Sequence, residues 1–307
     1  MGPETPRARV LPVLIMLALV AVQVVLRYRF GFLHGSKWQG VHVLVGLTAV
    51  LAVFTAFHGL DALRRVRGQT WALLAFGIVA FLAFWFYGRM DTYNRVIREY
   101  VPPQGPFGPV FAFLYFSLGS FFFRLVLPFA FAWWVLRRSP ATLGLYAPRN
   151  PHPPAVRRIW PVYLALFLGV LPFVIGVAQT AAFQAKYPMS RAMIGPDHVI
   201  LLHQFLLYEA FYFLIFVAGE SFWRGYLAFG LERDFGAYAL PLMVVPYVTA
   251  HFGKPLPETL GAILAGMTLG WLALKHRSVW LGVALHYGVA LSMDLLAIHA
   301  NGFTLKL

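Results

Sequence analysis

The chain contains no cysteine. That excludes disulfides, thiolate nucleophiles and every zinc, haem or iron–sulfur site built on Cys ligands. Charge is scarce as well: only 12% of the 307 residues are Asp, Glu, Lys or Arg, about half the share in a soluble globular domain. Acids are the rarer sign, 11 against 25 Lys and Arg, which leaves a formal net charge of +14. There is no internal repeat of the kind many transporters carry, which weakens that class although buried charges would suit it.

What the chain has in quantity is apolar surface, with 60% hydrophobic and 17% aromatic residues. Runs of roughly 20 apolar residues, enough to cross about 30 Å of hydrocarbon, recur from end to end. Hydropathy predicts spans near 10–26, 38–60, 71–88, 107–136, 160–183, 198–228, 238–252, 259–274 and 279–298. The reading is an all-α, polytopic transmembrane helix bundle of about 8–9 spans. The fourth and sixth spans are long, and the seventh and eighth are short enough to be tilted, broken or partly re-entrant. Segment 10–26 outruns a signal-peptide core and ends in Leu26-Arg27-Tyr28-Arg29 rather than small residues, so it reads as a retained first span.

The Pro- and Arg-rich stretch 139–160 cannot form one regular element. It separates N-terminal spans of unassigned role, 1–138, from a C-terminal core, 161–307. Lys and Arg are scattered over many short loops, which suits anionic lipid headgroups and gives no domain for nucleic acid. A small excess of these cations on the N-terminal side favours a cytoplasmic N-terminus.

Ionisable residues at membrane depth cost about 2.5 kcal/mol or more and so face protein or water. In the C-terminal half they are Glu209, Glu220, Arg224, His251, Lys254, Glu258, His286 and Asp294. Glu220 and Arg224 stand at i and i+4, where they share a face of an α-helix and can pair. That spacing serves equally a structural ion pair or a functional one. Tyr247 precedes His251 by one turn, and Gly253-Lys254-Pro255 breaks the helix behind it; broken backbone at this depth is tolerated where it is buried or lines a cavity. Glu258 opens the next helix, where the helix dipole alone would favour an acid. His286 lies inside the last apolar run with Asp294 about two turns on. His34, His42, His58, His152, His198, His276 and His299 lack such company and default to loop or interface positions. A Glu or His on each of three late spans fits either an activated water or a metal site.

The order of these residues resembles the CPBP family, the type II CAAX prenyl endopeptidases and related bacterial membrane proteases. Gly219-Glu220-Ser221-Phe222-Trp223-Arg224-Gly225-Tyr226-Leu227 resembles its E-E-x-x-x-R motif and R-G-x-L continuation. Tyr247-Val248-Thr249-Ala250-His251 resembles F-x-x-x-H, and His286 opens the third motif. Residues 141–149 resemble an upstream Leu-Gly-Leu segment. The likeness covers residues 198–296, weakens over 140–197 and is absent before that. Two positions depart: the first Glu of the pair is Gly219, and the Asn or Asp four residues after the last His is Ala290. Glu258 and Asp294 stand in the right order to replace those groups.

The resemblance implies an intramembrane endopeptidase in the inner membrane of a bacterium, acting on a membrane-associated protein or peptide. Glu220 would activate water, His251 and His286 would stabilise the oxyanion, and Arg224 and Tyr247 would support them. A Zn²⁺ variant of the chemistry would use His251, His286 and Glu220 as ligands, and the resemblance spans metal and metal-free proposals alike. The departures at Gly219 and Ala290 imply the alternative, a catalytically degenerate relative that binds a peptide, lipid or partner protein in the same cavity.

Overall fold

Glycine and proline divide the apolar sequence into helices, and the structure, a computed structural model, describes residues 10–145 and 156–307. In chain order the main helices are α1 (Val10–Phe30), α2 (Gln39–His58), α3 (Gly68–Tyr87), α4 (Phe111–Phe121), α5 (Val156–Ala178), α6 (Leu202–Glu220), α7 (Ala239–Thr249), α8 (Leu256–His276) and α9 (Trp280–Ala300). A left-handed residue stops α8 at Arg277, φ 55°. Residues 146–155 of the connecting stretch 139–160, His152 among them, lie outside the described residues, as do Arg7 and Arg9.

Eight helical stretches are long and apolar enough to cross a membrane among the described residues. The chain is thus the all-α, multi-pass bundle that hydropathy indicates, with one revision. The sixth and seventh predicted spans fall in a single stretch, Leu202–Thr249. Its last helix, α7, has 11 residues and rises about 16 Å, half the hydrocarbon thickness, so it does not cross alone. By contrast α8, expected to be short, has 21 residues and rises roughly 31 Å. Its polar opening, Pro255 to Glu258, hides the first turn from a hydropathy window.

By its internal contacts the chain divides into two interleaved units: Met1–Leu82 with Leu127–Asn150 and Ser221–Val279, and Ala83–Val126 with Pro151–Glu220 and Trp280–Leu307. In the first unit, α7 packs against α2 and α8, and α1 packs against α2 and α8. Lipid tails are as apolar as Leu, so burying Leu against Leu gives little there; close packing and interhelical hydrogen bonds decide association. Such bonds recur in this unit. Arg67 forks onto Asp234 at 2.9–3.1 Å, and Tyr226 donates to the Leu73 carbonyl at 3.1 Å.

In the second unit, α6 packs on α4 and α9, and α9 packs on α5. Its core holds Phe113, Tyr208, Tyr212, Phe216, Val283 and Ala290. The predicted sixth span begins here not as helix but as strand: β1 (Val199–Leu201) pairs in parallel with β2 (Thr304–Lys306), Ile200 opposite Leu305. This short pairing ties the C-terminus to the foot of α6.

Candidate active site

Glu220 is the last residue of α6, and its side chain is 1% exposed. Its Oε1 lies 2.7 Å from Nδ1 of His286, on α9 of the same unit. An ionised carboxylate only accepts, so Nδ1 carries the proton and a neutral ring would keep its acceptor at Nε2. The imidazole packs on Phe216, ring centroids 4.7 Å apart. Gly282, one turn before His286, makes room for the carboxylate: a Cβ there would stand 3.0 Å from Glu220 Oε2. Two motif residues 66 positions apart are thus brought into one partly buried contact.

Gly219 also has a defined neighbour. A Cβ at this position would lie 3.4 Å from Nη1 of Arg124. Arg124 is buried, donates from Nε to Ser120 Oγ at 3.0 Å and sits 4.7 Å over the Phe84 ring. Where the motif expects an acid, this chain therefore has a backbone with a guanidinium beside it. No pattern in the sequence marked Arg124 for that place.

From Ser221 to Phe229 the backbone winds as a π-helix, so the α-helical i, i+4 geometry assumed for Glu220 and Arg224 stops at Glu220. π-Helical turns are rare and cluster at functional sites. Arg224, in the first unit, is fully buried, lies 4.4 Å over the Tyr247 ring and points Nη2 at the Ala265 carbonyl, 3.4 Å away. Tyr247 in turn stands edge-on to His251, centroids 4.7 Å apart. His251 Nδ1 lies 2.8 Å from the Tyr247 carbonyl, which fixes the same tautomer as in His286.

The turn after His251 is held by the first span. Tyr28 on α1 donates to the Lys254 carbonyl at 2.7 Å, meets Thr259 Oγ1 at 2.9 Å and accepts from the Gly253 amide at 3.3 Å. Thr259 passes the constraint on, donating to the His251 carbonyl at 3.1 Å. Arg27 covers the Phe252 ring at 4.6 Å. His42, expected at a loop or interface, is instead buried on α2 beside Gln23 and Arg27. Its partners sit on a different helix, where one-chain periodicity cannot point.

The two proposed replacements are engaged elsewhere. Glu258 pairs with Lys254 at 2.6 Å, an i, i+4 contact across the opening of α8. Asp294 is fully buried and accepts from Tyr208 at 2.5 Å. Tyr287 donates to Glu209 at 3.2 Å, which gives α6 and α9 a third polar link. Asp294 lies eight residues past His286, about 12 Å along α9. Among the described residues no three His, Asp or Glu side chains are grouped as metal ligands. Glu220 and His286 supply two donors already bonded to each other.

The structure thus sets a partly buried Glu–His contact between two apolar helices of a multi-pass bundle. Residues 201–292 match the family model described as Type II CAAX prenyl endopeptidase Rce1-like. The chain therefore carries a CAAX-protease-type segment, in agreement with the likeness to the CPBP family read from its motifs, and is an integral multi-pass membrane protein. The match includes Glu220, Arg224, Tyr247, His251, Glu258 and His286, and stops before Asp294. No curated protein and no solved structure matches the chain.

Proposed function

We propose that the protein is an intramembrane endopeptidase that hydrolyses a peptide bond of a membrane-associated protein or peptide. The observation that carries this reading is the Glu220–His286 contact, 2.7 Å with the carboxylate buried, inside the segment that matches the family. Glu220 takes a proton from water as the oxygen attacks the carbonyl, and later delivers it to the leaving amine. His286 holds Glu220 in place through Nδ1. The protonated His286 ring donates from Nε2 to the oxyanion, a role worth a few kcal/mol per donor. Because Nδ1 of each ring is committed to a fixed acceptor, either ring donates from Nε2 only as an imidazolium. Arg224 holds Tyr247, and Tyr247 holds His251. Residues 161–307 form the proteolytic core, and from the N-terminal spans Tyr28 braces the turn after His251. The setting is a bacterial inner membrane with a cytoplasmic N-terminus, and anionic lipids meet the basic loops.

The test is cleavage of a co-expressed candidate substrate in membranes by the wild type and by Glu220→Gln. The variant keeps an acceptor of the same shape but cannot hold the proton, and cleavage should fall at least a hundredfold. Unchanged cleavage removes Glu220 as the base.

A second reading has its own observation, the Arg124 guanidinium against Gly219. A site with a cation where its relatives place an acid suits a degenerate member that binds a peptide or lipid carboxylate without cutting. Full biological activity in both Glu220→Gln and His286→Ala, each folded, would select it.

A further inference from the structure

The first unit contains a groove of about 1020 Å³ that the proteolytic chemistry does not use. Five cations line it, Arg137, Arg138, Arg233, Lys275 and Arg277, against a single acid, Glu232. They come from three separate segments, each just beyond or at the end of an apolar stretch. Glu232 is already paired with Arg277, so the groove keeps a strong positive balance. Arg138 sits half inside it and donates to the Gly230 carbonyl at 2.9 Å. Burial, and then the nearby Arg67 and Arg233, press its protonated form downward, with Asp234 opposing. The field in the groove is therefore one that would welcome an anion.

The remaining lining is apolar, with Leu240, Trp271 and Leu274 among it. Lys275 stands 4.5 Å over the Trp271 ring, the pairing of aromatic and cation typical of a headgroup border. Interfacial Lys and Arg ordinarily reach headgroups singly, by snorkelling. Here they converge on one cavity, and two of them do so from strained backbone: Arg137 and Arg277 take φ of 56° and 55°, where glycine is the ordinary residue. Cations on the wall and apolar side chains beneath match an amphipathic anion, a phosphate ester with acyl chains, better than a free ion.

We propose that this groove is a binding site for the phosphate headgroup of an anionic glycerophospholipid. It is a specific site and not a diffuse basic surface, and it makes the lipid a structural ligand of the unit that carries Arg224 and His251. The proposal does not depend on proteolysis, because its readout is binding.

The experiment titrates the full-length protein in neutral detergent with phosphatidylglycerol, phosphatidylcholine or inorganic phosphate, and counts bound molecules by native mass spectrometry. The site variant is Arg233→Gln with Lys275→Gln, which spares the structural contacts of Arg138 and Arg277. The charge-matched control is Arg95→Gln with Arg98→Gln, both exposed elsewhere. At roughly fivefold per cation, the site variant should bind phosphatidylglycerol about 25-fold more weakly and the control within about twofold of wild type. Phosphatidylcholine should not compete. Equal binding by the site variant overturns the proposal, and so does full displacement of the lipid by inorganic phosphate alone. If the double variant fails to fold, Lys275→Gln alone, at an exposed position, should still cost about fivefold.

Discussion

Replacing His286 with Phe tests the buried pair most sharply. The ring that packs on Phe216 is retained, and the Nδ1–H that faces Glu220 is lost. A hydrogen bond between neutral partners in a membrane averages about 0.6 kcal/mol and reaches about 1.7. One to a charged group is worth about 1.5–3 kcal/mol. The two ranges separate two physical states of the site. If Glu220 is ionised, His286→Phe should destabilise the protein by about 3 kcal/mol, since the carboxylate is left buried. In a Glu220→Gln background the same change should cost about 1 kcal/mol. The difference, about 2 kcal/mol, is the coupling energy of the pair. It can be read from reversible unfolding of the four proteins of the cycle in one detergent. A coupling near 0.6 kcal/mol would mean that the pair is neutral at rest. Costs that add to within about 0.3 kcal/mol would refute the contact itself.

Four further outcomes follow from the geometry. Tyr28→Phe removes the hydroxyl that clamps the turn after His251, at a cost of about 1–2 kcal/mol; hydrogen exchange at Gly253 and Lys254 should speed up about tenfold, with kcat falling more than KM rises. Unchanged exchange would deny α1 its positioning role. Gly219→Glu sets a carboxylate against Arg124, so its stability cost should grow by about 2 kcal/mol in an Arg124→Leu background; the same cost in both backgrounds would show that the guanidinium is not there. Tyr208→Phe takes a donor from Asp294 and should lower stability by about 1–3 kcal/mol while sparing kcat, because the contact lies about two turns from His286 and about three from Glu220. The pH–rate profile should be bell-shaped, because the reaction needs a deprotonated Glu220 and a protonated imidazole; a profile with a single limb would remove one of the two roles.

Much of this was legible in the sequence because lipid enforces it. Spans must be apolar for about 20 residues, so hydropathy found the helices. Ionisable groups are costly in lipid, so Glu220, Arg224, His251 and His286 stood out. Pattern failed where the determinant is interhelical or local to the backbone. The π-helix over Ser221–Phe229 keeps the composition of an α-helix and changes only its winding. Tyr28 is one aromatic among many, and its three contacts reach residues more than 220 positions away. Arg124 was visible as a charge in the fourth span, but its place beside Gly219 needed coordinates. The counting of α7 as a crossing failed because hydropathy registers apolar character and not the break at Gly236, φ 56°.

What carries the account is the pairing of Glu220 with His286. The absence of cysteine makes the decisive measurement clean, because introduced thiols are the only ones present. The two side chains meet at 2.7 Å. The double variant Glu220→Cys, His286→Cys should therefore be bridged, in membranes, by a short bifunctional thiol reagent. Intramolecular cross-linking at near-full yield is the predicted result. If the two thiols react singly and never bridge, Glu220 and His286 do not meet and the proposed mechanism is wrong.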